Sequence, residues 1–282
     1  MSTEQIGLIL ITFFAATVNG ALGYGFSSIT VPVALLFYTN RILNPALVLV
    51  EMAINAYVLF INRHSVPQIW KRVLPLVVGV IPGVLIGSYI LFMVKPGWLK
   101  FFTYAVLLPL ILLQAAGIRR PIRSEKAIGL PFGMSIGVLY SVTTISGPPL
   151  AVLFNNQGYA KQEFRAALSL IRVAESALTG VAYYFLGLYS VESTQLLPSI
   201  VPSVLLGIPL GTYLISRIDP ETFRRICMSF DAWVVGFGLS KVCIELHLLA
   251  SPGAYGILAA VVVTDVYLLY WFFRNRAAAS LS

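Results

Sequence analysis

Charge is scarce in this sequence. Only 11% of its 282 residues are Asp, Glu, Lys or Arg and 58% are hydrophobic, whereas an ordinary soluble domain carries about 25% charged residues. A soluble globular fold is excluded. Cysteine is nearly absent: Cys227 and Cys243 lie 16 residues apart in one apolar region, which supports neither a disulfide framework nor a metal site. They read as packing residues. The two histidines, His64 and His247, fall at the edges of apolar runs. No His pair has metal-binding spacing, and a hydrolase built on Ser146 would lack its base. No glycine-rich phosphate loop follows a strand, so no nucleotide site is expected, and neither a metal nor any other cofactor is called for. There is no polar stretch long enough for a disordered linker or a soluble domain. No Lys or Arg precedes the first apolar run in MSTEQIGLILITFF, so that segment is expected to stay rather than be cleaved as a signal peptide.

What the sequence has instead is apolar runs of 18 to 25 residues from end to end. Each is long enough to cross a hydrocarbon core of about 30 Å as a helix. The expected fold is an all-α polytopic membrane protein embedded in a lipid bilayer. Full spans are placed near 44–62, 73–94, 98–118, 165–188, 196–216, 222–242 and 252–273. Residues 5–39 and 127–158 each hold two apolar stretches joined by a break rich in Gly, Ser, Thr and Pro. These predict two helical hairpins, or pairs of half-helices, that return to their starting side.

The formal charge of +8 reflects topology rather than a nucleic-acid partner, because the basic residues sit in short loops. With Arg119, Arg120, Arg123 and Lys126 placed in the cytoplasm, 14 of the 19 Lys and Arg residues fall inside and four outside, while Arg172 lies within a span. The N-terminus is therefore expected outside and the C-terminus in the cytoplasm.

The segment Gly20 to Pro32 aligns with Gly137 to Pro149 at a shift of 117, and GVLIGSYILFMVKP (83–96) matches GIPLGTYLISRIDP (207–220) at a shift of 124. Each half then holds a hairpin and three spans, an odd number of crossings, so the halves are expected in opposite orientation as inverted-topology repeats. The units are 1–118, a basic cytoplasmic linker 119–126, a second repeat 127–248, and an extra helix and tail 249–282. Inverted repeats are a carrier architecture. Gly83, Gly87, Gly207 and Gly211 are expected to permit close helix packing.

Backbone in the two breaks cannot all be helical, and a membrane tolerates this only inside protein or beside a water-filled cavity. Half-helices starting there would aim amide N–H groups and positive dipole ends inward, beside Ser27, Ser28, Thr30, Thr143, Thr144, Ser146 and Gly147. Such a pocket suits an anion; the alternative is a turn whose hydroxyls bond the local backbone. Arg172 lies about 10–12 Å into its span, where a guanidinium faces a partner or a bound oxyanion. Glu175, at i+3, is the partner that could neutralise it. At the 117 shift Arg172 meets Asn55, which adds Asn55 to the candidate substrate site. Glu51 and Glu175 are the candidate carriers of a coupled proton, whereas Asp231 and Asp265 read as hydrogen-bonded structural acids. Asn155, Asn156 and Gln157 end the second hairpin, as mouth-lining or capping residues. A small anion is the expected substrate, with a carrier favoured over an anion channel and small carboxylates left open as its cargo. The aromatic-rich last span could face a second copy in a homodimer or anchor in the headgroup belt.

With these features in place, the chain resembles the TauE/SafE family of sulfite and organosulfonate exporters. The match is strongest over SGPPLAVLFNNQGYAKQEFRAAL (146–168), with Gly147, Pro148, Pro149, Gly158, Phe164, Arg165 and Ala166 on the family pattern. The first-half segment NGALGYGFSSITVP (19–32) is similar with fewer glycines. The resemblance implies a transporter, not an enzyme, in a prokaryotic cytoplasmic (inner) membrane, moving sulfite or an organosulfonate such as sulfoacetate.

Overall fold

In a membrane, backbone polar groups must bond within the chain, so apolar runs become helices. A computed structural model describes residues 3–116, 125–156, 161–215, 217 and 219–279, and all regular structure among them is helical. The basic linker at 119–123, Gln157 and Gly158 lie outside the described residues.

The first hairpin is α1 (Thr3–Leu22), a break at 23–25, and the half-helix α2 (Phe26–Ala34). It is followed by α3 (Asn40–Ile61), a 3-10 turn at Arg63–Ser65, α4 (Val66–Met93) and α5 (Pro96–Ala115). The second hairpin is α6 (Glu125–Thr143), a break at 144–146, and the half-helix α7 (Gly147–Asn156). Then come α8 (Lys161–Phe185), the short α9 (Val191–Thr194), α10 (Leu197–Leu214), α11 (Pro220–Glu245) and α12 (Tyr255–Ala279). Proline opens α5 and α11, where its missing N–H is harmless. Asp219 caps α11 by accepting from the Thr222 N–H at 2.8 Å.

Seven helices among the described residues are long and apolar enough to cross a membrane. Thr3–Leu22 is long and apolar enough to cross a membrane by itself, so the first hairpin is a long helix followed by a half-helix, one of the two forms expected. One assignment differs from the sequence reading. The helix Lys161–Phe185 is long enough but falls outside the apolar set. It carries Lys161, Glu163, Arg165, Arg172 and Glu175, whose charge lowers its hydropathy.

The core is built where the halves cross. The α4 helix packs most closely on α6, and α10 on α1, so each hairpin lies against the other half of the chain, with α3 against α8 between them. Glycine makes both crossings possible. A Cβ on Gly83 would strike the Met134 carbonyl, and one on Gly211 the Thr17 carbonyl, so the backbones touch as small-residue packing requires. The outward faces stay apolar: Phe185 is 81% exposed and Leu205 68%, as expected of surfaces meeting lipid. The last helix, α12, packs mainly on α11. A buried network ties the two together, with Arg225 donating to Asp265 Oδ1 at 2.9 Å and Trp233 Nε1 to Asp265 Oδ2 at 3.1 Å.

Candidate functional site

The two breaks are brought together inside the protein. Gly23 and Gly25 have φ of +83° and +111°, the left-handed region that only glycine enters without strain, and they let the chain turn sharply from α1 into α2. The second break uses Thr144 at φ +58° instead, a costly conformation for a β-branched residue. Its surroundings hold it: the Asn44 side chain donates to the Val142 carbonyl at 2.6 Å, Asn40 donates to the same oxygen at 3.4 Å, and the Tyr183 hydroxyl donates to the Ser141 carbonyl. These bonds satisfy carbonyls that the end of α6 leaves unpaired. Tyr24 of the first break lies against Gly147 of the second, its Cβ 3.5 Å from where a Gly147 Cβ would stand.

At the start of each half-helix a serine reaches a buried glutamate. The Ser27 hydroxyl donates to Glu51 Oε1 at 2.6 Å, and the Ser146 hydroxyl to Glu175 Oε2 at 2.5 Å. Glu51 lies mid-way along α3 and Glu175 mid-way along α8, the two helices packed at the centre. Arg172 joins them across that interface, its guanidinium 2.6 Å from Glu51 Oε1, with 3% and 1% of the side chains exposed. Tyr140 of α6, fully buried, lies in the field of Glu51, Arg172 and Glu175. The result is one guanidinium and two carboxylates buried together in the interior.

Several atoms there have no partner among the described residues: Arg172 Nε, Glu51 Oε2, Glu175 Oε1 and Asn55 Nδ2. Buried polar groups are seldom left unpaired, and orphans clustered around one guanidinium mark a place where a polar ligand can bind.

The sequence-derived candidates divide. Ser27, Ser146, Glu51, Glu175 and Arg172 converge. Arg172 takes Glu51 of the facing helix α3 as its ionic partner rather than Glu175, whose Oε2 accepts from the Ser146 hydroxyl. Asn55 is buried one turn from Glu51 on α3, with its Nδ2 unpaired. Ser28 donates to its own Gly25 carbonyl at 3.1 Å, Thr143 to Leu139 at 2.7 Å and Thr144 to Thr143 at 2.7 Å. These three hydroxyls bond local backbone. The Thr30 hydroxyl is buried without a partner among the described residues. Asp265 is the hydrogen-bonded structural acid expected, whereas Asp231 keeps a buried Oδ1 with no partner among the described residues. Arg225, counted among the cytoplasmic basic residues although it falls at the start of the span placed at 222–242, is buried on α11 with 3% exposure. Tyr140, Asn40 and Asn44 were missed. An asparagine pair at i and i+4 ahead of an apolar run was the available signal for the last two.

Comparison with known proteins fits this arrangement. A profile of the sulfite exporter TauE/SafE family matches residues 8–239. The chain belongs to the TauE/SafE family. The match takes in both breaks, Glu51, Arg172 and Glu175 and stops before α12. The chain is also 26% identical over 181 residues to a probable sulfite/organosulfonate exporter TauE of Cupriavidus necator, an alignment covering 61% of this chain and 67% of that protein. No solved structure matches. This TauE/SafE member is accordingly a multi-pass membrane transporter and not an enzyme.

Proposed function

We propose that the protein is a secondary carrier that moves a small sulfur-containing anion, sulfite or an organosulfonate such as sulfoacetate, across a prokaryotic cytoplasmic membrane by alternating access. Family membership and the printed function of the Cupriavidus protein support the substrate class. The observation that carries the mechanism is the Arg172–Glu51 pair, buried where the two half-helices begin. In this arrangement a protein carboxylate occupies the guanidinium that a substrate needs. A proton on Glu51 removes that competition. Arg172 then presents two parallel N–H groups to the oxyanion, with Ser27 and the free amides of the half-helix N-termini as further donors. Glu175, held by Ser146, plays the corresponding part for the second half. A proton is thereby the coupling ion at this centre. The units 1–118 and 127–248 act as inverted repeats that exchange conformations about it, with the N-terminus outside and the C-terminus in the cytoplasm.

Flux of labelled sulfite and sulfoacetate into proteoliposomes under an imposed pH gradient tests the scheme. Wild-type protein should transport and respond to the gradient. Arg172→Ala should lose transport, and Glu51→Gln should lose the response to pH. Undiminished flux in Arg172→Ala, or a normal pH response in both Glu51→Gln and Glu175→Gln, contradicts it.

A further inference from the structure

A groove runs along the outward surface between α3 and α10. It encloses about 550 Å³, with Ala53, Ile54 and Tyr57 on one wall and Leu205, Ile208 and Pro209 on the other. Tyr57 and Leu205 are exposed, so the groove opens toward the hydrocarbon of the bilayer. The α10 helix packs on α1 and touches α3 only lightly.

Both walls end at the same face of the protein. The α10 helix runs in the same direction as α1, with Ser203 against Ile9 and Gly211 against Thr17. Just past the end of α1, Gly23 lies against Arg165 near the start of α8. The α8 helix is antiparallel to α3, since Arg172 meets Glu51 and Gly180 meets Val48, and the Arg63–Ser65 turn after α3 touches α8. Each wall also finishes alike. One turn beyond Tyr57, on the same helix face, Phe60 carries the Arg63 guanidinium over its ring at 4.3 Å. One turn beyond Pro209, Tyr213 carries that of Arg217 at 5.0 Å. Both arginines are exposed. Arg63 donates to the Phe60 carbonyl at 3.3 Å, which uses one of the five N–H groups of a guanidinium. The acids that follow Arg217 have other neighbours: Asp219 accepts from the Thr222 N–H, and Glu221 lies 4.0 Å from Arg224.

The second half supplies an internal comparison. The shift of 124 that aligns α4 with α10 also aligns Glu51 with Glu175. A second groove stands between α8 and α4 at the matching residues, with Leu178 for Ile54, Ile81 for Leu205 and Val84 for Ile208. It is smaller, about 390 Å³, and α4 lies closely along α8. At the positions of Arg63 and Arg217 that half has Gly187 and Met93. Positive charge is therefore built onto one groove only, at the end that the distribution of Lys and Arg assigns to the cytoplasm. The cytoplasmic leaflet carries anionic lipid, and basic pockets between transmembrane helices on that side hold its headgroups.

We propose that the α3–α10 groove binds one anionic phospholipid, with an acyl chain between Ile54 and Ile208 and the phosphate held at the rim by Arg63 and Arg217. The chain fills the space that α10 leaves beside α3, and so braces the helix that carries Glu51. The site goes beyond the carrier reading and shares with it only the choice of leaflet.

The test is the melting midpoint of the detergent-purified full chain, without any sulfur anion. It is titrated with phosphatidylglycerol, with phosphatidylcholine of the same acyl chains, and with soluble glycerol 3-phosphate. Wild type should melt higher in phosphatidylglycerol than in phosphatidylcholine, in a saturable manner, and glycerol 3-phosphate should leave the midpoint unchanged. Replacing both arginines, Arg63→Gln with Arg217→Gln, should reduce the phosphatidylglycerol shift to that of phosphatidylcholine. Ala53→Trp, which fills the groove and keeps both arginines, should lose the same advantage. Equal shifts from the two lipids overturn the site, as does an advantage of phosphatidylglycerol that survives in the double arginine variant or in Ala53→Trp. A shift with glycerol 3-phosphate as large as that with the lipid also overturns it, since the groove would then contribute nothing. A failed flux assay with sulfur anions leaves this result untouched.

Discussion

Arg172 is neutralised by a residue 121 positions away, and this governs how its removal will read. Truncating one member of a buried ion pair strands the other charge, at a cost of about 3–5 kcal/mol, whereas replacing both is often nearly neutral. Thermal unfolding of Arg172→Gln and Glu51→Gln should therefore show two strongly destabilised proteins, and the double variant should recover most of the loss. Additive losses would mean that the two side chains do not depend on each other. At this scale the sequence was informative where a charge stands alone in an apolar run, as Glu51, Arg172 and Glu175 do. It was silent on pairing, which depends on how α3 meets α8 and not on spacing within α8. Arg225 escaped notice because a cation near the end of a run looks like a loop residue until a partner such as Asp265 on α12 is seen. Tyr140 was invisible, since a tyrosine inside an apolar run carries no mark of its surroundings.

The elements were easier to read than their joints. Glycine and proline disclosed both breaks, and Ser27 and Ser146 were already among the candidates. What could not be read was that Thr144 takes the left-handed conformation that Gly23 and Gly25 take in the first break, because that rests on bonds from Asn40, Asn44 and Tyr183 on distant helices. The glycines at the helix crossings were legible as packing residues. Gly211→Val should clash with the α1 backbone at Thr17 and destabilise the protein by about 1–3 kcal/mol or more. Leu205→Ala, on the exposed face of the same helix, should stay within about 0.5 kcal/mol. Equal midpoints for the two variants would show that α10 does not pack on α1 through this face.

For the molecule as a whole, the distribution of Lys and Arg predicts an orientation that labelling can check. Cys227 and Cys243 are buried, so the unaltered protein should resist a membrane-impermeant maleimide. Thr194→Cys, exposed in α9, should react in intact cells. His64→Cys, exposed in the turn between α3 and α4, should react only after the membrane is opened; the reverse pattern would invert the topology. Arg172, Glu51 and Glu175 meet at the junction of the halves and each keeps a buried polar atom without a partner among the described residues, and outward faces such as that of α10 are apolar. Binding of a sulfur oxyanion at that junction is the point on which the transport reading rests. It is tested most directly by the melting midpoint of the purified protein against sulfite, sulfoacetate, isethionate, taurine, acetate and chloride, with Arg172→Ala and Arg172→Lys alongside. Selective stabilisation by sulfite or one sulfonate is expected, lost in Arg172→Ala and weakened in Arg172→Lys, because a lysine cannot make the bidentate contact. A sulfur-anion shift that persists in Arg172→Ala, or a response to acetate alone, would contradict it.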